Sequence, residues 1–361
     1  MHLLEPDITD LSLFTSDEDA VEYYFRWYRF HGYPAITLDG YDPIHELERV
    51  KASRLEVGPD GSVPQSMVGC GFLWAYFPHW VKVSTPGSES LEDAWLDDDK
   101  LRALMRKVLR YCRTYKTECG RWHTNRVRQL AKVYCAKQAP SNFRPTSAKL
   151  LMDAYGHGGA VFDPCGGWGG RMLGFLASDC RRYTCCEPST LSAKGLRELS
   201  QTFAYVGKRV EVNCIGAEDF EPQEGAYDMA LTSPPYFDTE RYADEPTQSY
   251  IRFPDYGYWV EGFLYPMVAN AYRALRDGGV FLLNVANVPT AKTLEDDALC
   301  AAASAGFEHV DTLYLTLSSI AGRGIKAEPI FVLAKGECGD VAHRPNHVQE
   351  GRLFDPDSMG I

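Results

Sequence analysis

A chain of 361 residues that is 45% hydrophobic and 24% charged has the balance of a soluble globular protein, long enough for one large domain with an appendage or for two domains. No apolar run approaches the roughly 18 residues that a membrane span needs, and Met1-His2-Leu3-Leu4-Glu5-Pro6-Asp7 lacks the basic start and apolar core of a secretory leader, so a cytoplasmic location is expected. The net charge of −12 taken alone argues against nucleic acid, and eleven scattered cysteines, odd in number and without a C-x-x-C pair, point to free thiols in a reducing compartment rather than to disulfides or zinc.

In chain order, Ser16 with an acid three residues on reads as a capping box opening an aromatic-dense helix over residues 20–30, packed into the core and ending near Gly32 and Pro34. Residues 43–54 suggest a short helix. Residues 65–83 turn to Gly, Val, Phe, Trp and Tyr, which suits strands or an ordered loop; the lone His79 there reads as structural. Two helices follow, over 92–117 and 123–137. Between Leu101 and Lys149 the chain carries 13 basic residues against a single acid, Glu118. A basic face segregated on an acidic protein is the footprint of a polyanion site. Arg106, Arg110, Arg113, Arg121 and Arg126 are its candidate nucleic-acid contacts; a solvated helix pair is the structural alternative. This first region, residues 1–140, carries no repeat and no motif of known mechanism.

Ser141 to Lys149 opens another helix, with Pro145 at its first turn and Thr146 or Ser147 near its start. After Gly156-His157-Gly158-Gly159 comes strand, glycine-rich turn and helix: Ala160-Val161-Phe162-Asp163, Pro164-Cys165-Gly166-Gly167-Trp168-Gly169-Gly170-Arg171, then Met172 to Ala177. Glycines let the backbone approach a ligand closely, and the helix start offers free N–H groups. The spacing is neither the dinucleotide G-x-G-x-x-G nor a P-loop. An acid at the strand end, Asp163, repels a pyrophosphate and favours a ligand with positive charge. A second strand over 182–186 ends in Glu187, at the spacing where an α/β nucleotide site bonds a ribose diol. A third, Val210 to Ile215, ends at Gly216-Ala217-Glu218-Asp219, a place for adenine contacts.

The fourth strand, Ala226 to Leu231, runs into Thr232-Ser233-Pro234-Pro235-Tyr236. Two prolines forbid helix, remove two donors and fix an extended exit from the strand. In such a turn the Ser233 hydroxyl and the Pro234 carbonyl can accept hydrogens from an exocyclic amine while Tyr236 stacks on the ring that bears it. Four successive strand ends thus carry ligand-type residues, and in an open parallel sheet such ends line one crevice. The next 20 residues, polar and aromatic, with Phe237, Arg241, Tyr242, Tyr250 and Arg252, are long for a connection and suit a lid or substrate grip. A helix (259–275), the turn Arg276-Asp277-Gly278-Gly279, a strand (280–285), a helix (294–305), a strand (307–317), a loop with Gly322-Arg323-Gly324 and a last strand (328–334) complete the pattern. The final pair reads as antiparallel and closes one sheet edge. Residues 336–361 read as a tail.

From Phe143 to Lys335 the chain resembles the class I S-adenosylmethionine (SAM)-dependent amino-methyltransferases of DNA, and more closely the DNA methylases encoded by phages and mobile elements. Phe143-Arg144-Pro145 resembles the segment that covers the methionine end of SAM, Asp163 to Gly170 the family's Asp-Pro-Phe-x-Gly-x-Gly loop, Glu187 its ribose-binding acid, and Ser233-Pro234-Pro235-Tyr236 its catalytic turn. The resemblance implies a Rossmann-like α/β methyltransferase domain over 141–335, a mostly parallel seven-stranded sheet with an antiparallel edge hairpin. It implies SAM as cofactor, bound by Phe143, Pro145, Thr146, Asp163, Cys165, Gly166, Gly167, Gly169, Glu187, Ala217, Glu218 and Thr232, and no metal. It departs from the family at Cys165, which replaces an aromatic, and in having no long insert after the catalytic turn. A DNA-recognition role therefore falls to the mainly helical residues 1–140.

The implied reaction is transfer of a methyl group to an exocyclic amine of a flipped base in double-stranded DNA. Tyr236 stacks on the base and Phe237 forms a second wall, with Arg241 beside it as a further nucleic-acid contact. Ser233 leans toward N4 of cytosine over N6 of adenine. Cys165 lies in the cofactor loop, not the catalytic turn, so it is not the nucleophile of a cytosine-C5 enzyme. Three readings stay open beside this one: an RNA base (guanine N2) methyltransferase, a protein-glutamine methyltransferase, and a non-catalytic nucleic-acid-binding module of the same fold.

Overall fold

The computed structural model describes residues 5–114, 120–135, 140–317 and 326–336. The expected tail beyond 336, the Gly322-Arg323-Gly324 loop, and Lys116, Glu118 and Lys137 of the basic region lie outside the described residues.

Eight strands form one sheet: β1 (Ser62–Val63), β2 (Ala160–Asp163), β3 (Arg182–Cys186), β4 (Arg209–Asn213), β5 (Tyr227–Thr232), β6 (Leu275–Asn284), β7 (Phe307–Leu317) and β8 (Lys326–Lys335). Their order is β1-β7-β8-β6-β5-β2-β3-β4. All neighbours are parallel except β8, which runs antiparallel to both β6 and β7. The chain winds outward from β2 to β4, then returns across β2 to β5 and β6. The arrangement is Rossmann-like and doubly wound, and its strand order reverses between β2 and β5. That reversal parts the connections at the C-terminal ends of those strands and opens a crevice there.

The last two strands pair as the sequence predicts. Their edge is not the sheet edge, however: β1 adds an eighth strand parallel to β7, through Ser62↔Tyr314 and Val63↔Leu315. Two residues between Gly61 and Pro64 are too few to carry a strand signature. Residues 276–279, expected as a turn before the strand, are a bulged extension of β6; the register with β5 slips between Tyr227 and Met229.

The helices are α1 (Asp17–His31), α2 (Pro43–Lys51), α3 (Cys70–Leu73), α4 (Leu91–Leu96), α5 (Asp98–Thr114), α6 (Thr124–Tyr134), α7 (Pro145–Tyr155), α8 (Gly170–Ala177), α9 (Thr190–Thr202), α10 (Ser249–Arg252), α11 (Tyr256–Trp259), α12 (Tyr265–Ala274) and α13 (Leu294–Ala305). Ser16 caps α1 by accepting from the Asp19 N–H at 3.1 Å, and three acids follow in the first turn. The helix expected over 92–117 breaks at Asp97, so α4 and α5 are separate. The aromatic stretch 65–83 forms α3 and a 3-10 turn over Pro78–Lys82, not strands. Its rings pack on helices, and a strand's two-residue alternation has no sheet to serve there. No helix of the described residues is long and apolar enough to cross a membrane.

Alternation along the strands divides the core in two. Val161, Met229, Leu231 and Leu282 face one layer, and Phe162, Ala230, Phe281 and Leu283 face the other. The first layer continues without interruption into the N-terminal region, where Tyr24 stacks on Trp122 with ring centroids 3.5 Å apart and the Tyr28 hydroxyl accepts from the Trp122 indole at 3.1 Å. The N-terminal helices and the sheet therefore share one apolar core. Trp74, Phe77 and His79 of the N-terminal region reach the glycine turn and pack around Trp168.

Candidate active site

The glycine turn leaves β2 at Asp163 and enters α8 at Gly170. Gly167 and Gly169 have φ of +56° and +76°, values that L side chains rarely adopt. Gly170 is fixed by space: a Cβ there would lie 1.9 Å from the Phe143 carbonyl oxygen. Asn142 clamps the turn, donating to the Trp168 carbonyl at 2.7 Å and accepting from the Gly170 N–H at 3.1 Å.

Asp163 does not face the crevice. It is fully buried, accepts from Arg171 Nε at 2.7 Å and the Tyr183 hydroxyl at 2.5 Å, and receives the Thr232 hydroxyl at 2.9 Å and the Cys165 N–H at 3.1 Å. Burial disfavours the Arg171 charge, yet Asp163 against it more than compensates and raises its pKa. The expected complement to a positive ligand is thus already neutralised by Arg171, eight residues along the same turn and helix. What Asp163 does is join motifs: Thr232 also accepts from the Cys165 N–H at 3.1 Å. The glycine turn and the root of the double-proline turn are held together by one carboxylate and one hydroxyl. Burial pushes the Cys165 thiol well up, with Asp163 adding to the effect, so it is a neutral thiol and no nucleophile.

A cavity of about 280 Å³ opens over the ends of β2 to β5. On one side lie Phe143, Cys165, Gly167, Glu187, Ala217 and Glu218. Glu187 accepts from the Gly167 N–H at 2.9 Å and the Ser189 N–H at 3.0 Å. Burial outweighs those bonds and raises its pKa to about 7. Glu218 accepts from Arg252 at 2.6 Å through one oxygen, and burial again raises its pKa. Its other oxygen, Oε2, and the Gln248 side-chain nitrogen are buried without partners, and both residues line the cavity. Buried polar atoms left open in a crevice call for a polar ligand that meets them. Pro145, Thr146, Gly166 and Gly169 stand behind this wall without lining it.

On the other side lie Ser233, Pro234, Pro235 and Tyr236. The Tyr236 hydroxyl donates to Glu328 on β8 at 3.3 Å and also contacts Ser233. The chain then doubles back: the Thr239 N–H reaches the Tyr236 carbonyl at 3.3 Å, and Phe237 takes a φ of +57°, a strained value for an aromatic residue. This reversal turns Phe237 into the core against Tyr256 and Trp259, with 8% exposed. Phe237 is therefore not the second wall expected of it. Glu240 and Tyr242 come to the cavity instead.

Residues 238–252 form a strap over the crevice. Arg241 pairs with Ser84 of the N-terminal region by two backbone bonds of 2.8 and 3.2 Å. Its side chain lies 3.9 Å from Asp238 and outside the cavity. Glu245 caps the start of α9 through Ser189 and Thr190. Arg252 pairs with Glu218 and Asp219.

The basic face is not bare. Acids of α1 answer it: Glu22 lies 3.2 Å from Arg102, Glu18 2.6 Å from Arg106 and Asp17 2.7 Å from Arg113. Arg126 lies over Tyr111, Lys107 over Tyr134, and Lys132 over Trp74 and Trp80. Arg110 and Arg121 are exposed. None of the five candidate contacts in this region lines the cavity. The acids that answer Arg102, Arg106 and Arg113 lie 80 or more residues upstream, outside the window in which the basic residues are counted. Sequence reasoning also missed Asn142, Arg171, Glu240, Gln248 and Glu328. Arg171 alone had a local signal, directly following the glycine run.

No protein-family model matches the chain, and no curated protein does. Solved structures with a similar fold include a geranyl diphosphate C-methyltransferase from Streptomyces coelicolor A3(2), in complex with Mg2+, geranyl diphosphate and S-adenosyl-L-homocysteine. It is 13% identical, with a TM-score of 0.36 over 52% of this chain and 78% of that one. The Burkholderia thailandensis 1,6-didemethyltoxoflavin-N1-methyltransferase, with bound 1,6-didemethyltoxoflavin and S-adenosylhomocysteine, is 16% identical, with a TM-score of 0.38 over 54% of this chain and 78% of that one. The tRNA (m1A58) methyltransferase of Aquifex aeolicus is 14% identical, with a TM-score of 0.36 over 54% and 70%. At such identities and scores the likeness carries no argument about the site or its chemistry.

Proposed function

We propose that the chain is a SAM-dependent methyltransferase acting on an exocyclic amine of a DNA base, N4 of cytosine ahead of N6 of adenine. The observation that carries this reading is that the glycine turn and the Ser-Pro-Pro-Tyr turn open into one cavity and are tied together by the Thr232–Asp163 bond of 2.9 Å.

The residues present fit the donor. Glu187 offers a carboxylate to a ribose diol, and the unpartnered Glu218 oxygen and Gln248 nitrogen offer one acceptor and one donor to the polar edge of a nucleoside. Phe143 and the Gly167 backbone supply the close approach. When bound, SAM supplies an electrophilic methyl carbon on a sulfonium. The chain's own part is to hold and orient the amine. Ser233 and the Pro234 carbonyl accept its hydrogens and localise the nitrogen lone pair, and the Tyr236 ring offers a stacking face.

Duplex DNA requires the target base to leave the stack. The ion pairs on α5 reduce the charge available to phosphates and leave Arg110 and Arg121 as the exposed candidate contacts. RNA oligonucleotides are the second substrate to test. The experiment is incubation with tritiated SAM and genomic DNA, with RNA in parallel, followed by nucleoside mass spectrometry. N4-methylcytosine or N6-methyladenine is the expected product. Label in RNA alone overturns the DNA assignment, and label in neither overturns the reading as a nucleic-acid methyltransferase.

A further inference from the structure

We infer that Glu240 is the proton acceptor for the acceptor amine. The inference rests on the methyl-transfer reading above and adds a residue that no sequence motif pointed to.

The chemistry sets the need. The amine nitrogen forms its bond to the methyl carbon, the carbon–sulfur bond breaks with its electron pair left on sulfur, and the nitrogen must shed a proton. The Ser233 hydroxyl and the Pro234 carbonyl accept hydrogen bonds but are too weakly basic to keep a proton. A carboxylate on the acceptor side of the cavity can take that proton, and four glutamates line the cavity: Glu187, Glu218, Glu240 and Glu328. Glu187 is engaged by two backbone N–H groups at the glycine turn, and Glu218 by Arg252. Both stand on the donor side. Glu328 takes the Tyr236 hydroxyl.

Glu240 differs from all three. The left-handed reversal at Phe237 brings it back to the cavity wall just four residues after Tyr236. One of its oxygens takes the Tyr242 hydroxyl. The other has no hydrogen-bond partner among the described residues, as Glu218 Oε2 has none on the donor side, and Glu240 lines the cavity together with Ser233 and Pro234. The titratable groups that face it are Tyr242 on its own strap, Tyr236 on the turn after β5, and Glu328 on β8; Arg241 beside it pairs with Asp238. Burial raises the Glu240 pKa, Glu328 adds to the rise and the Tyr242 bond opposes it. A carboxylate with a raised pKa is a stronger base than an exposed one. The competing view is that Glu240 only fastens the strap to Tyr242. Glu240→Gln keeps an oxygen for that bond and removes only the basicity.

The test compares wild type, Glu240→Gln and Glu328→Gln in single-turnover methyl transfer between about pH 5.5 and 9, with donor affinity measured calorimetrically on each. Wild type should slow tenfold per unit of pH below the Glu240 pKa. Glu240→Gln should be about 100-fold slower or more at pH 8, lose that acid limb, and bind SAM within threefold of wild type. In ligand-free protein carrying carboxyl-labelled glutamate, several carbon-13 resonances should titrate above the ordinary glutamate range, those of Glu187 and Glu218 among them, and one of the raised set should vanish in Glu240→Gln. Overturning results are a Glu240→Gln enzyme of near-normal rate and profile, the acid limb being lost in Glu328→Gln instead, or no raised resonance lost in Glu240→Gln. A wild-type enzyme inert on every amine-bearing polymer overturns the methyl-transfer reading itself, and is distinct from an active wild type with an equally active Glu240→Gln.

Discussion

The two sides of the cavity are built differently. The donor side is made by short turns at the ends of β2, β3 and β4, and much of its shape is backbone: Gly167, Gly169 and Gly170 at left-handed or crowded positions, with Asn142 and Glu187 holding peptide groups. The wall proposed for the acceptor is made by side chains, Ser233 and Tyr236 after β5, Glu240 and Tyr242 on the strap that follows, and Glu328 on β8, 92 residues beyond Tyr236. A backbone-built site needs particular residues at fixed spacing, and so leaves a contiguous motif. A side-chain-built site needs only that topology bring groups together, and can draw them from anywhere. Asp163 and Thr232 are the joint between the two.

Damage at that joint should separate the two walls most severely. Arg171→Met leaves the buried Asp163 carboxylate without its cation, and removing one partner of a buried pair costs about 3–5 kcal/mol. Urea denaturation should register that loss, and a change below about 1 kcal/mol would mean the pair does not hold the turns together. Gly170→Ala attacks the donor side alone. Its methyl must displace the Phe143 carbonyl, so a loss of about 1–3 kcal/mol and weakened SAM binding are expected, read by thermal denaturation and calorimetry; unchanged SAM affinity would detach this turn from the donor.

A subtler effect concerns Glu187. Its pKa of about 7 lies above the ordinary 4.5 because burial disfavours the ionised form. A ribose diol donates its hydrogens to the ionised form, so SAM affinity should climb as pH rises through 7 and level off above it. Below about pH 7 each unit should weaken binding by close to tenfold. Glu187→Gln should bind weakly at every pH; a wild-type affinity flat between pH 6 and 8 would contradict the assignment. The smallest effect belongs to the basic face. Arg106→Ala removes an exposed pair with Glu18 and should shift stability by no more than about 0.5 kcal/mol. A DNA affinity that falls more steeply than this, measured at fixed salt, would restore Arg106 as a phosphate contact.

The sheet was legible because its strands are apolar runs ending in ligand-type residues, and the α7 start, the glycine turn and the Glu187 and Glu218 strand ends fall where the sequence predicts. The N-terminal region was not. Its aromatics are shared among several short helices, and β1 is two residues added to a strand some 250 positions later. Asp163 was read correctly as the acid at the strand end but for the wrong partner, since its neutralising Arg171 arrives eight residues later, at the start of α8. Phe237 was misread because a left-handed residue inverts which side chain faces the cavity, and no aromatic in a sequence announces a positive φ.

On the proposed reading, donor and amine meet in one cavity yet are held by separable walls. The direct measurement is Ser233→Ala, with single-turnover transfer and SAM affinity determined on the same preparation. Transfer should fall by about 100-fold or more while SAM affinity stays within threefold of wild type. Near-normal transfer, or loss of SAM binding together with transfer, would contradict the account.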